Sequence, residues 1–265
     1  MAVYGLSEEM QARIAEELYE AQRTNTPIPL LSKEYPVITM ADAYAIQQKG
    51  LELRLKDGAQ VVGRKIGITS EGMMKMLECN SPDYGYLLEE TQVSEGGSIV
   101  RAEMNWPIVE GELAFIMGAN LNAGPITAED VVAATRQVVP CFEVCDTRFT
   151  NWNVTVRDTI CDNAGTGRFM LGCSSKTLEE VDPAVIPMIL EKNGEVIGQA
   201  TGAEVMGSPI NSVVWLANKL LEYGDFLRAG DVVLSGSFMA ADAAEAGDTY
   251  TITLKGFMPM TLSFE

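Results

Sequence analysis

The sequence predicts an α+β protein in which a helical N-terminal portion precedes a β-rich core of mixed strands. Apolar residues recur at helical spacing within residues 7–25 and 41–56. From about residue 96, short apolar runs alternate with turn signals such as Gly96-Gly97 and Asn193-Gly194. A parallel α/β fold needs a helix at every crossover, and too few helical stretches separate these runs. We therefore expect a mixed sheet that curls or closes.

The helical portion is expected to comprise residues 1–80 and to form a cap or a small subdomain. Its first helix follows Ser7, a residue type that caps helix N-termini. The segment QVVGRKIGITS is apolar enough for a strand and leads into a short helix. In chain order, this portion is predicted to contain helices over 7–25 and 41–56, a strand within 60–70 and a helix over 71–78.

The β-rich catalytic core is expected to span residues 81–265 as one continuous domain, since no repeat or linker divides the sequence. Two helices interrupt it, over 127–136 and 209–223, and the second repeats apolar residues between Val213 and Leu221. Strands are predicted over 97–101, 108–117, 138–145, 167–172, 185–191, 195–200, 231–236, 249–254 and 259–264.

Composition and charge limit the possible functions. The chain has 265 residues, of which 47% are hydrophobic and 21% are charged, as is typical of a folded globular protein. No apolar run approaches the roughly 20 residues that span a bilayer, and the start MAVYGLSEEM lacks a leader pattern. We therefore expect a cytoplasmic protein. The net charge of −18 disfavours nucleic acids and anionic membranes as partners.

The sequence contains no histidine and five cysteines. Without histidine, every mechanism that needs an imidazole base is excluded, which leaves carboxylate, lysine, tyrosine or a metal-activated water for acid–base chemistry. Any metal must be held by oxygen or sulfur. The odd number of cysteines, without a CxxC spacing, predicts buried free thiols rather than disulfides or a thiolate zinc site.

Glutamates interrupt two apolar, strand-like segments. In PIVEGELAFIM, Glu110 and Glu112 must project from the same face of a strand, and Glu143 lies within VVPCFEVCDTRF. Neighbouring carboxylates repel one another and are costly to bury unpaired. A solvated strand face, a lysine or arginine partner, or a hard divalent cation such as Mg²⁺ or Mn²⁺ would relieve the repulsion. The two segments together favour the cation as much as the solvated face.

Seven segments spread over nearly the whole chain form an ordered pattern: RKIGITS (64–70), SPDYGYL (81–87), VEGELAF (109–115), VVPCFEVCDTRFTNW (138–152), DTICDNA (158–164), MGSPINSVVWLANKL (206–220) and AGDVVLSGS (229–237). In this order and spacing they resemble the 2-hydroxypenta-2,4-dienoate (2-oxopent-4-enoate) hydratases. Those enzymes belong with the 4-oxalocrotonate decarboxylases in the fumarylacetoacetate hydrolase superfamily. Seven ordered motifs are far more specific than one short pattern.

The resemblance implies a fold, a metal and site residues. The fold would be a mixed β-roll core with an N-terminal helical portion, in a homo-oligomer that can associate with a neighbouring enzyme of its pathway. Glu110, Glu112 and Glu143 match the ligands of Mg²⁺ or Mn²⁺ in the family. Lys65 and Asp83 match its acid–base groups.

The implied substrate is a small 2-oxo or 2-hydroxy acid. A hydratase of this family adds water to a 2-hydroxy-2,4-dienoate to give a 4-hydroxy-2-oxo acid in meta-cleavage degradation of aromatic compounds. The segments EGE, PCFEVCDTRF and LSGS are closer to the hydratase form than to the decarboxylase form. A 4-oxalocrotonate (2-oxo-3-hexenedioate) decarboxylase and a non-catalytic partner subunit remain alternatives. Hydrolysis of C–C bonds is disfavoured, because in the superfamily it uses a histidine.

Lys65 and Asp83 also have structural interpretations. Lys65 either relays a proton, its pKa lowered by burial near a cation, or only pairs with the acidic cluster. Asp83 follows a proline and can be a turn residue. A further group is expected to orient the metal glutamates, namely Asp146, Arg148, Asp158 and Asn163.

Four hydroxyl residues are candidates for substrate binding. Ser235 and Ser237 flank a glycine at a strand end, where hydroxyls and backbone N–H groups commonly bind an anion, here the substrate carboxylate. Thr69 and Ser70 follow the lysine strand and either contact the substrate or cap the next helix.

Overall fold

The computed structural model describes residues 5–265, so the first four residues of the predicted N-terminal portion lie outside it. Its helices are α1 (Glu8–Thr24), α2 (Leu31–Glu34), α3 (Met40–Lys56), α4 (Glu71–Met76), α5 (Ala128–Ala134), α6 (Val156–Cys161) and α7 (Pro209–Glu222). Its strands are β1 (Val61–Gly67), β2 (Asp83–Leu88), β3 (Gln92–Val93), β4 (Ser98–Ile99), β5 (Ile108–Met117), β6 (Thr135–Cys145), β7 (Thr166–Leu171), β8 (Pro187–Lys192), β9 (Glu195–Thr201), β10 (Val232–Leu234), β11 (Asp242–Ala243), β12 (Thr249–Leu254) and β13 (Met260–Phe264). The predicted α+β class is confirmed.

The N-terminal helices begin at capping residues. Ser7 caps α1, and its hydroxyl oxygen accepts a hydrogen bond from the backbone N–H three residues on, at 3.2 Å. Thr39 and Asp42 form a reciprocal capping box at the start of α3. The two helices bury apolar residues such as Ile14 and Ile46 in the main core. Burial of these faces holds the helical portion against the sheets.

The large sheet has the strand order β2-β1-β10-β5-β6-β7-β3, and β11 pairs with the start of β5. It is mixed, because β1 runs parallel to β10 but antiparallel to β2, and it curls as predicted. Strand β1 belongs to this sheet although it lies in the predicted N-terminal portion, so sheet hydrogen bonds cross the expected boundary at residue 80. Division of the chain into two portions stays a prediction.

A second sheet, ordered β4-β13-β12-β8-β9, covers one face of β5. Val109 and Leu113 point to this side and are fully buried. A side chain at Gly111 would come within 2.9 Å of the Met188 sulfur and 3.4 Å of Ile252. A glycine between the two glutamates therefore lets the sheets approach closely.

The other face of β5 lines the interior of the curled sheet. Along this face, Glu110 and Glu112 give way to Ala114 and Ile116, which join a separate apolar cluster. The other members of that cluster are Leu87, Val139, Cys141, Phe169, Val232 and Leu234. The interior thus has a polar end beside an apolar end, and the apolar end lowers the dielectric around the polar groups.

Three elements near the polar end were not predicted: β2, α6 and β11, which pairs with the start of β5. Asp83 is the first residue of β2 and is buried, so its interpretation as a turn residue was wrong. Strand β6 also begins at Thr135, within the predicted helix 127–136. None of the helices within residues 5–265 has both the length and the apolar character needed to cross a bilayer.

Candidate active site

Three glutamates meet at the polar end of the curled sheet. Glu110 and Glu112 project from one face of β5, as predicted, and β6 places Glu143 directly opposite Glu110. Glu112 and Glu143 have no exposed surface, whereas Glu110 is partly exposed. A solvated strand face is therefore excluded as the explanation of these residues.

Lys65 supplies positive charge to the cluster. Its Nζ lies 3.0 Å from Glu143 Oε1, and both side chains are buried. Lys65 on β1 and Asp83 on β2 point into the same interior. Both lie beside Gly67, since a Cβ added at this glycine would overlap the Asp83 carboxylate and lie 3.6 Å from Lys65 Nζ. The predicted pairing of Lys65 with the acidic cluster is thus present. One ammonium group faces four carboxyl groups, so the protein supplies too little positive charge for all four to ionise.

Several carboxylate oxygens in this cluster have no hydrogen-bond partner among the described residues. They are both oxygens of Glu143, Oε1 of Glu112 and Oδ1 of Asp83. The approach of Lys65 to Glu143 is an ionic contact without hydrogen-bond alignment. Buried carboxylate oxygens are costly when unpaired, and oxygen is the donor that hard divalent cations prefer. The donor set therefore fits Mg²⁺ or Mn²⁺.

Burial dominates the electrostatics of the glutamates. It raises the pKa of Glu110 to about 7, with a further contribution from the charge of Glu143. It also raises the pKa of Glu112 well above its ordinary value, to which Glu143 and Glu110 add. Each raised pKa means that ionisation of the glutamate is unfavourable unless a cation lies beside it.

The acidic surroundings control the charge of Lys65. Burial alone lowers the pKa of Lys65, but the acidic groups of Cys145, Glu143, Asp83 and Glu110 outweigh it and raise that pKa well above its ordinary value. The lowered pKa predicted from the sequence presupposed a cation beside the lysine. These acidic groups therefore favour the ammonium form of Lys65.

Cys145 is a site residue that the sequence analysis missed. Its Sγ lies 3.6 Å from Glu110 Oε2 and 3.9 Å from Lys65 Nζ. One donor atom each from Glu110, Glu143 and Cys145 lies within 4.8 Å of the others. The alternation of a strand could have found this cysteine, which is two residues after Glu143 and faces the same way.

The other cysteines lie outside this group. Cys141 and Cys161 are buried, so the prediction of buried free thiols is confirmed for them and for Cys145. It was wrong for Cys79, which is partly exposed, and for Cys173, which is exposed.

Asp83 is oriented by a second residue that the sequence analysis missed. Thr159, on α6, donates a hydrogen bond from its hydroxyl to Asp83 Oδ2 at 2.9 Å. Helix α6 is fixed by a capping box between Thr155 and Asp158. Burial raises the pKa of Asp83, against the opposing effect of Lys65. Since Oδ1 remains unpartnered, one oxygen of Asp83 is held and the other is available.

The predicted substrate-binding hydroxyls are partly engaged elsewhere. Ser235 donates from its hydroxyl to the Leu113 carbonyl at 2.7 Å, and the next residue, Gly236, donates its N–H to Glu112 Oε2 at 2.8 Å. A side chain at Gly236 would overlap Thr69, so this threonine packs against the same turn. The turn after β10 therefore borders Glu112.

The two remaining hydroxyls serve the backbone. Ser70 caps α4, and its oxygen accepts a hydrogen bond from the Met73 N–H at 3.2 Å. Ser237 donates to the Met239 carbonyl at 2.6 Å. Substrate binding by these residues and by Thr69 and Ser235 stays a prediction.

The residues expected to orient the glutamates have other roles. Asp146 accepts hydrogen bonds from the backbone N–H groups of Asn105 and Trp106. Arg148 pairs with Asp162. Asp158 caps α6 and accepts a hydrogen bond from the Ser32 N–H, while Asn163 bonds to the backbone of Tyr86. These side chains brace loops around the site, so their predicted contact with the glutamates was wrong.

Comparison with known proteins identifies the family. The sequence pattern described as the fumarylacetoacetate (FAA) hydrolase C-terminal family matches residues 67–264, which include all three glutamates and Asp83. The chain belongs to the fumarylacetoacetate hydrolase family. Lys65 lies just before the matched region of the family pattern.

Relatives within the fumarylacetoacetate hydrolase family cover most of the chain. The 2-hydroxyhexa-2,4-dienoate hydratase of Comamonas testosteroni is 37% identical over 94% of this chain and 95% of its own length. A 2-hydroxypent-2,4-dienoate hydratase of Pseudomonas putida is 40% identical over 80% of this chain and 96% of its own length. A solved 4-oxalocrotonate decarboxylase of Pseudomonas putida G7, complexed with magnesium and adipate, superposes with a TM-score of 0.95 at 32% identity. That match covers 98% of this chain and 99% of the decarboxylase chain.

Proposed function

We propose that this chain is a divalent-metal-dependent hydratase, a hydro-lyase, that converts a 2-hydroxy-2,4-dienoate (2-oxo-4-enoate) into a 4-hydroxy-2-oxo acid. The reaction belongs to meta-cleavage degradation of aromatic compounds. The observation that carries the proposal is the cluster in which Glu110, Glu112 and Glu143 face Lys65 and Asp83, with unpartnered buried oxygens on Glu112, Glu143 and Asp83. The substrate class is supported by relatives named as hydratases of 2-hydroxy-dienoates.

Glu110, Glu112 and Glu143 would hold Mg²⁺ or Mn²⁺. Their oxygens are buried or half-buried, lie on one face of two paired strands, and lack sufficient positive charge from the protein. A solved neighbour that contains magnesium supports a divalent cation. When bound, the cation supplies Lewis-acid stabilisation of negative charge on the C2 oxygen of the substrate.

Lys65 and Asp83 would move protons on the organic skeleton. The dienol gives up its C2 hydroxyl proton and gains a proton at C5, which produces a conjugated 2-oxo-3-enoate. Water then adds its oxygen at C4, and C3 takes up a proton. The ammonium form of Lys65 can donate a proton, whereas Asp83 has an unpartnered Oδ1 that can accept one. Thr159 keeps the second oxygen of Asp83 in place.

The turn after β10 would bind the substrate carboxylate. Thr69 packs on Gly236, next to Glu112. Backbone N–H groups and hydroxyls at a strand end bind anions readily. Ser70, Ser235 and Ser237 would contribute after their present hydrogen bonds exchange for the substrate.

Decarboxylation of 4-oxalocrotonate is the second candidate, favoured by the structural match to a decarboxylase over nearly the whole chain. An assay with Mg²⁺ and enzymatically generated 2-hydroxypenta-2,4-dienoate separates the candidates. Loss of the diene absorbance with formation of the 4-hydroxy-2-oxo acid is the expected result. Release of CO₂ from 2-oxohex-3-enedioate, with no hydration of 2-hydroxypenta-2,4-dienoate, would show that the protein is a decarboxylase and not a hydratase. If the protein catalyses neither reaction, the remaining candidate is a non-catalytic partner subunit.

Assembly and location are part of the same proposal. We expect a homo-oligomer in the cytoplasm that can associate with a neighbouring enzyme of its pathway. Exposed apolar residues support an interface, since Val196 and Ile197 lie on the edge strand β9 and Val185 lies close before β8. Light scattering after size-exclusion chromatography should give a mass above the 28.7 kDa of one chain.

A further inference from the structure

Cys145 adds a sulfur donor to a cluster otherwise made of oxygen donors and one ammonium group. Its thiol is buried within the polar end of the curled sheet, and it contacts Glu110 and Lys65. A hard cation such as Mg²⁺ prefers oxygen ligands to sulfur. The thiol donates a hydrogen bond to Glu110 Oε2 and accepts one from Lys65 Nζ, but the proposed hydratase reaction does not use its sulfur as a metal ligand.

We propose that Glu110, Glu143 and Cys145 form a second binding mode at this site, which takes a thiophilic divalent cation of the zinc class and competes with Mg²⁺ or Mn²⁺. The donor atoms of the three residues lie within 4.8 Å of one another. Both oxygens of Glu143 are fully buried and have no hydrogen-bond partner among the described residues, which is an independent sign of a ligand.

The distance between two of the donors suits a tetrahedral cation. Bonds of about 2.3 Å to sulfur and about 2.1 Å to oxygen at a tetrahedral angle separate the two donors by about 3.6 Å. The Cys145 thiol donates a hydrogen bond to Glu110 Oε2 at this same distance, 3.6 Å, so a cation that replaces the thiol proton would need little movement of the two donors. Two carboxylates and one thiolate leave a fourth position open, and catalytic zinc sites likewise combine three protein ligands with a water or substrate.

This second mode differs from the hard-cation mode in its ligands and its consequences. Glu112 is outside the three-residue set, and its Oε2 stays bound to the Gly236 N–H. On binding, the S–H bond of Cys145 breaks, its proton leaves to water, and a sulfur–metal bond forms. The cation takes over the contacts that Lys65 makes with Glu143 and Cys145, so a thiophilic cation displaces the proposed proton relay.

Titration with Cd²⁺ tests the proposal, because a thiolate ligand produces a sulfur-to-cadmium charge-transfer band in the ultraviolet. The protein is the full chain with Cys79→Ser and Cys173→Ser, which removes the two cysteines that are not buried. This background should show the band, Cys145→Ser should abolish it, and Cys141→Ser should retain it. Cys141 is a matched control, since it is buried on the same face opposite Glu112.

Two further titrations test the ligand set and the competition. Glu143→Gln should weaken Cd²⁺ binding by more than about tenfold. Excess Mg²⁺ should shift the Cd²⁺ midpoint of the background protein to higher concentration. A band that survives Cys145→Ser, or none in the background protein, would overturn the site, and an unshifted midpoint would overturn the competition. If Cys145→Ser fails to fold by circular dichroism, Cys145→Val replaces it. The spectroscopic readout needs no turnover, so failure of the hydratase assay is a separate result.

Discussion

Two groups of carboxylates are buried to a similar degree but are treated differently by their surroundings. The bracing aspartates, Asp42, Asp146 and Asp158, each accept hydrogen bonds on both oxygens. The site carboxylates, Glu112, Glu143 and Asp83, each keep at least one buried oxygen without a hydrogen-bond partner. Burial alone therefore does not separate the two groups, whereas hydrogen-bond satisfaction does.

The difference separates residues that hold the fold from residues that are available to a ligand. Asp42 receives four hydrogen bonds, from Thr39, Gln11 and Leu6, and so joins α1, α3 and the segment before them. Glu143 has one ionic contact, to Lys65. A folded protein keeps unsatisfied buried charge where function requires it and compensates with stability elsewhere.

The largest effect is expected for Lys65→Met, which keeps the apolar stem but removes the titratable group. Substrate should still bind, while kcat falls by about 10² to 10⁴, or about 3 to 5 kcal/mol of barrier, as for a lost acid–base group. Steady-state kinetics at saturating Mn²⁺ measure this, with Lys56→Met, an exposed lysine, as the control. A kcat within about threefold of the parent would reduce Lys65 to an ion-pair partner.

A smaller effect, on stability alone, is expected for Asp42→Ala. Burial by itself raises the pKa of Asp42, but the hydrogen bonds from Thr39, Gln11 and Leu6 outweigh it and lower that pKa below its ordinary value. The variant should lose about 2 kcal/mol of unfolding free energy at neutral pH, measured by urea denaturation. The difference from the parent should shrink as the pH falls through the lowered folded-state pKa. An altered metal affinity in this variant would contradict the distinction between bracing aspartates and site carboxylates.

The smallest effect concerns the pH dependence of the metal-free protein. The folded-state pKa of Glu110 is raised from 4.5 to about 7, so the native state binds more protons than the unfolded state in that window. The free energy of unfolding should therefore fall as the pH rises from 4.5 to about 7. In Glu110→Gln this pH-dependent fall should be smaller by an amount on the order of 1 kcal/mol. Glu52→Gln, at an exposed position, should keep the slope of the parent. Equal slopes in all three proteins would contradict the raised pKa.

Local patterns were enough to predict one half of the site. Strand alternation placed Glu110 and Glu112 on one face, and the apolar runs around them and around Glu143 predicted the two strands that carry them. The ordered motifs added Lys65 and Asp83, and the structure brings both to the same cluster. These features depend on neighbouring positions in the sequence, or on a pattern spread over the whole chain.

The remaining features depend on contacts between distant segments. The register that sets Glu143 opposite Glu110 is a long-range pairing, and the satisfaction of Asp146 and Asp158 depends on backbone N–H groups far away in the chain. Helix α6 is too short for periodicity to reveal, although Thr155 and Asp158 carry a capping-box signature. The capping-box signature marks Asp42 and Asp158 locally, but no local rule shows that buried oxygens of Glu112, Glu143 and Asp83 lack partners.

The most direct test of this distinction is calorimetric titration of Mn²⁺ into the metal-free protein and its variants. Glu110→Gln, Glu112→Gln and Glu143→Gln each remove one proposed ligand, while Asp42→Asn changes a bracing aspartate of similar burial. We predict that each glutamine variant stays folded and loses more than about tenfold in Mn²⁺ affinity, and that Asp42→Asn binds as the parent does. Unchanged affinity in all three glutamine variants, or no binding by the parent, would contradict the account.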